Sequence, residues 1–422
     1  MATKPIIIIG AGFSGLLLAQ HLRKSDIPFV IFERDADFST RGAGWGLTLH
    51  WSLPALRSLL PDELIDRLPE TYVDLEAVER GEASTFSFFD LSTGELKGAS
   101  PKAPESQRIR VTREKLRRLL ATGIIDIQWG KAFSSSSYNQ DADAIVALFE
   151  DGSTCFGGIL VGCNGSRSRV RRDVLPEYEN EMHKIPVGVL GAKVDYTPEQ
   201  IGPLRELDPF FFQWTSSEND TNVYFSILDA PGNIVSWPLC PGFFGVESII
   251  PCPSTSKDRL DLIQTFAQTW AEPFRSLVLD IPEGTDIKPV ELHDWLLPKK
   301  AQSSPSHPVA LIGECVSLHG HVERQWIIDR GEGANHAILD VLDFATSCAS
   351  YLSKLDQPPS RHRDDALERY GHQVIERVRP AVLASRQACM DAHDWKSIGP
   401  DSPLLSRRMI QLQFDDESLG WD

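Results

Sequence analysis

The first 35 residues alternate between two hydrophobic periods. Ile6–Ile9 is an unbroken run of β-branched residues, the pattern of a strand buried on both faces. Ser14–Lys24 then places Leu16, Leu17, Ala19 and Leu22 at helical spacing. Phe29–Phe32 is a second apolar run. Strand, helix and strand within about 30 residues predict one βαβ unit.

Further along, Arg113–Leu120 predicts an amphipathic helix with Leu116, Leu119 and Leu120 on one face. Ala144–Phe149 and Thr154–Phe156, joined through Asp151-Gly152, read as a hairpin. Gly158–Gly162 is another buried strand running into a loop rich in glycine and arginine. From about 184 to 250 the pattern shifts to aromatic strands separated by turn residues: Val187–Tyr196, Asn222–Leu228 and Ile234–Trp237. Leu260–Trp270 returns to helix and stops before Pro273. Pro308–Ile312 is a short buried strand, Glu332–Tyr351 a long helix, and a further helix runs from about Asp364 to Asp391. The tail after Ser397 is polar and expected to be irregular.

This order predicts an α/β fold. A Rossmann-like dinucleotide-binding domain is interrupted by a mostly antiparallel β-sheet substrate domain and followed by C-terminal helices. The expected divisions are 1–180 and 291–350 for the two parts of the nucleotide domain, 181–290 for the β-rich domain, and 351–422 for the helical segment and tail.

Charge narrows the partners. Lys and Arg number 42 against 59 Asp and Glu, a net charge of −17, which disfavours nucleic acid. With 41% hydrophobic and 24% charged residues the composition is that of a globular protein. No run approaches the 18 to 20 apolar residues, roughly, of a membrane span, so no integral membrane anchor is expected. Glycines interrupt the apolar N-terminus and no small-residue cleavage site follows, so a signal peptide is not expected either. The seven cysteines are odd in number and scattered, without a CxxC pair, which suits a reducing, cytoplasmic setting and excludes a disulfide framework.

Gly10-Ala11-Gly12-Phe13-Ser14-Gly15 is a GxGxxG motif placed between the first strand and its helix, and Glu33 ends the second strand 18 residues after Gly15. Gly10 permits the tight turn, Gly12 the approach of a pyrophosphate, and Gly15 close packing of helix on strand. The helix N-terminus offers free N–H groups to phosphates, and Glu33 can accept from ribose hydroxyls. The motif alone does not distinguish NAD from FAD.

Later segments carry a resemblance that covers nearly the whole chain. Glu33-Arg34 forms an acidic-then-basic pair, and Arg41-Gly42-Ala43-Gly44-Trp45-Gly46-Leu47 a loop of small residues. Arg113 heads a helix, with Leu116 and Leu120 following. Gly162-Cys163-Asn164-Gly165 runs into Ser166–Arg171, and Gly313-Glu314 is followed by Arg330-Gly331-Glu332-Gly333-Ala334-Asn335. In these features the chain resembles the single-component FAD-dependent monooxygenases, the aromatic-hydroxylase and salicylate-hydroxylase-like flavoproteins, and their fungal secondary-metabolism branch in particular. The resemblance implies FAD as cofactor and NAD(P)H as co-substrate. It further implies that one atom of O₂ is inserted into an aromatic or polyketide-like small molecule by hydroxylation or epoxidation. It implies cofactor contacts from Gly10, Gly12, Gly15, Glu33, Arg34, Gly44, Gly46, Arg113, Glu314, Gly333, Ala334 and Asn335. No catalytic base and no oligomeric state follow from it.

The pattern departs from the family in three places. Asn164 and Glu314 stand where the family has Asp, so one contact loses its charge and the other is displaced by a methylene. The stretch 314–329 is longer than the family's turn and has no proline. It reads as a remodelled active site, as extra residues looped into solvent, or as translated intron. Two alternatives to a monooxygenase therefore stay open: an FAD-binding cyclase or isomerase without net oxidation, and a non-catalytic pseudoenzyme. Cys315, His319 and His321 lie close in sequence, but without a fixed frame no metal site is expected. No Gly-x-Ser-x-Gly elbow supports a hydrolase. Aromatic residues of the inserted sheet (Phe210, Phe211, Phe212, Trp214, Tyr224, Trp237) are candidates to face an apolar substrate, and Trp45, His50 and Trp51 are further candidates.

Overall fold

The computed structural model describes residues 4–40, 46–178, 182–229, 234–240, 252–296, 307–315, 331–352 and 360–406. Its strands, in chain order, begin with β1 (Ile6–Ile9), β2 (Phe29–Phe32), β3 (Gly46–Leu49), β4 (Phe88–Asp90), β5 (Leu96–Gly98) and β6 (Ile109–Thr112). There follow β7 (Ile127–Gln128), β8 (Phe133–Asn139), β9 (Ala144–Phe149), β10 (Thr154–Gly157), β11 (Ile159–Gly162) and β12 (His183–Asp195). The last are β13 (Phe211–Thr215), β14 (Asn222–Asp229), β15 (Ile234–Cys240), β16 (Lys288–Asp294) and β17 (Val309–Leu311).

β1 lies at the centre of a five-stranded parallel sheet ordered β17-β11-β1-β2-β7. The unbroken isoleucine run follows from this position. Ile6 and Ile8 pack with helix α1 (Phe13–Lys24), while Ile7 and Ile9 pack with Phe32, Ile145, Phe149 and Leu160 on the opposite face. That second face is closed by the three-stranded antiparallel sheet β10-β9-β8, which contains the expected hairpin. With both faces covered, no position in β1 can be polar without a buried partner.

A seven-stranded sheet, ordered β16-β12-β15-β14-β13-β4-β5, forms the second body. It is antiparallel apart from the β13–β4 pair. Residues 181–290 do not build it alone: β4 and β5 come from within the first 180 residues and extend its edge. Strands of three residues carry too few positions to show a period of two, so the sequence pattern passes over them. Alternation along β13 and β14 separates the aromatic residues. Phe212, Trp214 and Phe225 face a core closed by Leu260, Ile263 and Phe274, so they are packing residues. Phe211 and Tyr224 lie on the other face, 6.0 Å apart between ring centres. Trp237 lies outside the residues whose side chains are described.

Between the two bodies runs a two-stranded ribbon, β3 with β6, in the register Thr48↔Arg110. Helix α2 (Arg113–Leu120) follows β6 directly, as the amphipathic pattern predicts. Helix α3 (Gly333–Leu352) packs against α4 (Ser360–Ala392), a 33-residue helix with Pro380 inside it. Arg377 of α4 pairs with Asp340 at 2.7 Å and Asp343 at 2.8 Å on α3. Arg386 forms a buried bidentate pair with Asp294 of β16, tying α4 to the seven-stranded sheet. Among the described residues no helix is long and apolar enough to cross a membrane.

Candidate active site

The chain returns three times to the C-terminal edge of the parallel sheet, the edge where open α/β sheets take their ligands. After β1 comes Gly10, after β11 Cys163–Gly165, and after β17 the tight turn Gly313–Cys315. Gly10 has φ +113°, and a Cβ there would meet Cys163 O at 2.6 Å. A Cβ at Gly15 would lie 2.0 Å from Gly10 O. Both glycines are therefore required by the protein's own packing. Gly12 differs. A Cβ there would have its nearest neighbour among the described residues, Cys163 O, at 4.0 Å, so against them the glycine leaves room for something else. Gly12 is the N-cap of α1, no side chain caps that helix, and no acidic residue sits in its first turn. An uncapped helix start bordered by open space is a place for an anion.

Glu33 is 5% exposed, and its carboxylate accepts from Ala11 N at 2.7 Å and Asp35 N at 3.1 Å. One oxygen faces each donor, and a carboxylate oxygen can accept more than one hydrogen bond. Arg34 is exposed, and Gly44 lies outside the described residues. Arg113, the first residue of α2, is half-buried, and its side chain makes no hydrogen bond or ion pair with any described residue. Glu314 is likewise without a partner, exposed, and its Oε2 lies 3.8 Å from where a Cβ on Gly165 would stand.

Three residues shape this edge in ways not legible in the sequence: Cys315, Asp340 and Arg117. Cys315 Sγ receives Gly165 N at 3.1 Å and lies 3.3 Å from Asn164 Oδ1, joining the turn after β11 to the turn after β17. Burial pushes its thiol up to about 11, so it stays protonated and inert. Asn164 also receives Ser168 Oγ at 2.6 Å, which explains how an amide serves where the family carries Asp. Asp340, fully buried, accepts from Gly313 N at 2.8 Å and so fixes the turn that carries Glu314. Burial raises its pKa, opposed by Arg377. Arg117 donates from Nε to Ala11 O at 2.8 Å and lies over the rings of Phe38 and Trp129. A lone cysteine, aspartate or arginine has no spacing signature, so only the fold reveals these roles.

The start of α3 approaches the same edge. A Cβ on Gly313 would meet Ser14 Oγ of α1 at 2.5 Å and Ala337 of α3 at 3.5 Å. Gly333 has no atom within 4 Å of its own Cβ position. The Asn335 side chain is taken up by protein contacts: Oδ1 accepts from His50 N at 3.0 Å and Ser52 Oγ at 2.8 Å, and Nδ2 donates to Thr48 O at 3.0 Å. Its part in a cofactor site would fall to its backbone N–H, beside those of Gly333 and Ala334. Gly46 also answers to the protein, because a Cβ there would strike the Arg110 guanidinium at 2.6 Å. Cys315 is described but His319 and His321 are not, and the described residues contain no group of three or more metal-ligating side chains.

These features suit a dinucleotide, and FAD in particular. Open space over Gly12 and a free helix start match a pyrophosphate, Glu33 matches a ribose, and the unpartnered Arg113 and Glu314 match the polar linker between adenine and flavin. The profile of the FAD binding domain family matches residues 3–223. A probable FAD-dependent monooxygenase of Arthroderma benhamiae is 41% identical over 99% of this chain and 97% of its own length. The FAD-dependent monooxygenase dbaB of Emericella nidulans is 35% identical over 80% of this chain and 85% of its own. Among solved structures, a putative FAD-containing monooxygenase of Photorhabdus luminescens superposes with TM-score 0.69 at 23% identity, covering 92% of this chain and 99% of that one. The chain belongs to the FAD-binding family of fungal FAD-dependent monooxygenases, and it is an oxidoreductase that incorporates one atom of oxygen.

Arg113 gives a direct check on the cofactor contacts. Arg113→Met is expected to weaken FAD binding roughly tenfold to hundredfold, the value of a charge-assisted bond, with little change in thermal stability because no protein partner is lost. Titration of apoprotein with FAD, followed by flavin fluorescence, reads this directly.

Proposed function

We propose that the enzyme uses NAD(P)H and O₂ to hydroxylate or epoxidise an aromatic or polyketide-like small molecule of fungal secondary metabolism. The observation that carries this reading is a continuous path of rings. It runs from the face of the seven-stranded sheet opposite the Phe212–Trp214 core to the start of α3: Tyr224 to Phe211, Phe211 to Phe86 at 4.8 Å, Phe86 to His50 at 5.7 Å, His50 to Trp51 at 5.9 Å, and Trp51 to His336 at 5.0 Å. Glu332 receives Trp51 Nε1 at 3.0 Å and holds that end of the path against α3. Such a wall favours a flat apolar substrate through offset and edge-on ring contacts.

Bound FAD would supply hydride acceptance from NAD(P)H and activation of O₂, with one oxygen atom going to product and the other to water. The chain's own residues do the rest. Gly12 and the N-terminus of α1 receive the pyrophosphate, and Glu33 the ribose. Arg113 and Glu314 orient the linker. The N–H groups of Gly333, Ala334 and Asn335 face the flavin's pyrimidine edge, where the helix dipole favours the negative charge of the reduced form. The aromatic path keeps the substrate dry and flat.

The test is a product analysis under ¹⁸O₂ with NADPH or NADH, using a panel of phenolic and polyketide aromatics. One ¹⁸O atom per product, with matching consumption of reductant, supports the reading. Turnover without reductant consumption would instead identify a cyclase or isomerase.

A further inference from the structure

Of the four buried arginines among the described residues, two face a carboxylate: Arg363 meets Asp143 and Asp364, and Arg386 meets Asp294. Arg110 does not. It is 7% exposed, and no described carboxylate lies within ion-pair distance of it. One terminal nitrogen donates to Thr48 Oγ1 at 2.7 Å and the other to Ser226 Oγ, while Nε has no partner. A guanidinium has five N–H donors, so most of this one's capacity is unused. The group lies flat on Gly46, whose missing Cβ makes the space, and 4.9 Å from the Phe211 ring centre. Arg171, also buried without a carboxylate, gives one nitrogen to Ser166 O and lies over Trp295, away from the aromatic path.

A buried cation without an anion is costly, and an anionic ligand arriving at Arg110 would offset that cost. Arg110 sits on the ribbon between the two bodies, joins β3 to β14, and touches the middle of the ring path through Phe211. We propose that Arg110 is the specificity-determining residue of the substrate site, its guanidinium receiving an anionic oxygen borne on an aromatic ring that lies against Phe211 and Phe86. The shared chemistry is that of a phenolate or an aryl carboxylate. Either oxygen would complete the fork left open by Thr48 and Ser226. A phenolate held there would also keep its ring electron-rich, which suits electrophilic oxygenation. This inference rests on the monooxygenase reading for the presence of a flavin beside the pocket, but the anion contact itself needs no redox step.

The experiment uses FAD-loaded protein and paired probes: benzoate and salicylate against benzamide and salicylamide for carboxylate recognition, and 4-nitrophenolate against 4-nitroanisole for phenolate recognition. Binding is read by perturbation of the flavin absorption and by thermal shift. The wild type is expected to prefer the anion of at least one pair by roughly tenfold to hundredfold. Arg110→Met should abolish that preference, Arg110→Lys should retain part of it, and Arg275→Met, at an exposed arginine paired with Glu272, should leave it intact. If Arg110→Met does not fold, Ser226→Ala and Arg110→Lys carry the comparison, each with a reduced preference. Equal binding of anion and neutral analogue by the wild type throughout the panel would overturn the inference, as would an anion preference that survives in Arg110→Met. A protein that shows the preference yet never consumes NAD(P)H would leave Arg110's role standing and remove the monooxygenase reading instead.

Discussion

Gly12→Val is expected to yield a folded protein that no longer retains FAD. The backbone at Gly12 (φ −81°, ψ −170°) is extended, a conformation open to any residue, and among the described residues no atom lies closer than 4.0 Å to the new Cβ. The added methyl groups project instead into the space over the start of α1, where a pyrophosphate must approach the backbone. Intrusion of this size costs about 1–3 kcal/mol, a loss of roughly ten- to hundredfold in affinity. Apoprotein thermal stability should stay close to wild type. Gly15→Ala provides the contrast: its Cβ would overlap Gly10 O at 2.0 Å, so it should destabilise the apoprotein itself. If Gly12→Val bound FAD as tightly as wild type, the pyrophosphate would not lie at this turn.

Arg386→Met is expected to produce the largest loss of stability among single side-chain changes away from the nucleotide edge. Asp294 is fully buried and receives two nitrogens of Arg386 at 2.6 and 2.5 Å. Removing the cation leaves an uncompensated buried carboxylate, which costs about 3–5 kcal/mol. The pair joins the long C-terminal helix to the seven-stranded sheet, so the loss should appear as earlier unfolding of that sheet. Replacing both partners, Arg386→Met with Asp294→Leu, should recover most of the loss because no charge is then stranded. Chemical denaturation of the three proteins checks this. A double variant as unstable as the single one would show that Arg386 acts through something other than its charge.

The sequence disclosed the nucleotide half far better than the substrate half, for physical reasons. A parallel sheet covered on both faces needs unbroken apolar runs, and Ile6–Ile9, Phe29–Phe32 and Ile159–Gly162 show them without any knowledge of neighbours. Gly10 and Gly15 are forced by close approach of the chain to itself, so their spacing is readable. In the seven-stranded sheet, by contrast, the aromatic residues look alike in sequence. Only the register of β13 and β14 separates Phe212 and Trp214, which pack in the core, from Phe211 and Tyr224 on the other face. Asn335 illustrates a different limit. Its place beside the glycines suggested a cofactor contact, yet its side chain pins Thr48, His50 and Ser52, a set of partners nearly three hundred positions away. The stretch 316–330 and Gly44 lie outside the described residues.

The central claim is that this edge of the parallel sheet holds FAD for an oxygen-inserting reaction. The most direct measurement is the visible spectrum of the purified protein after incubation with FAD and removal of free cofactor, with Gly12→Val treated in parallel. The account predicts a flavin spectrum stoichiometric with the wild-type chain, and a colourless Gly12→Val protein of unchanged stability. A wild-type protein that stays colourless after exposure to excess FAD would contradict it.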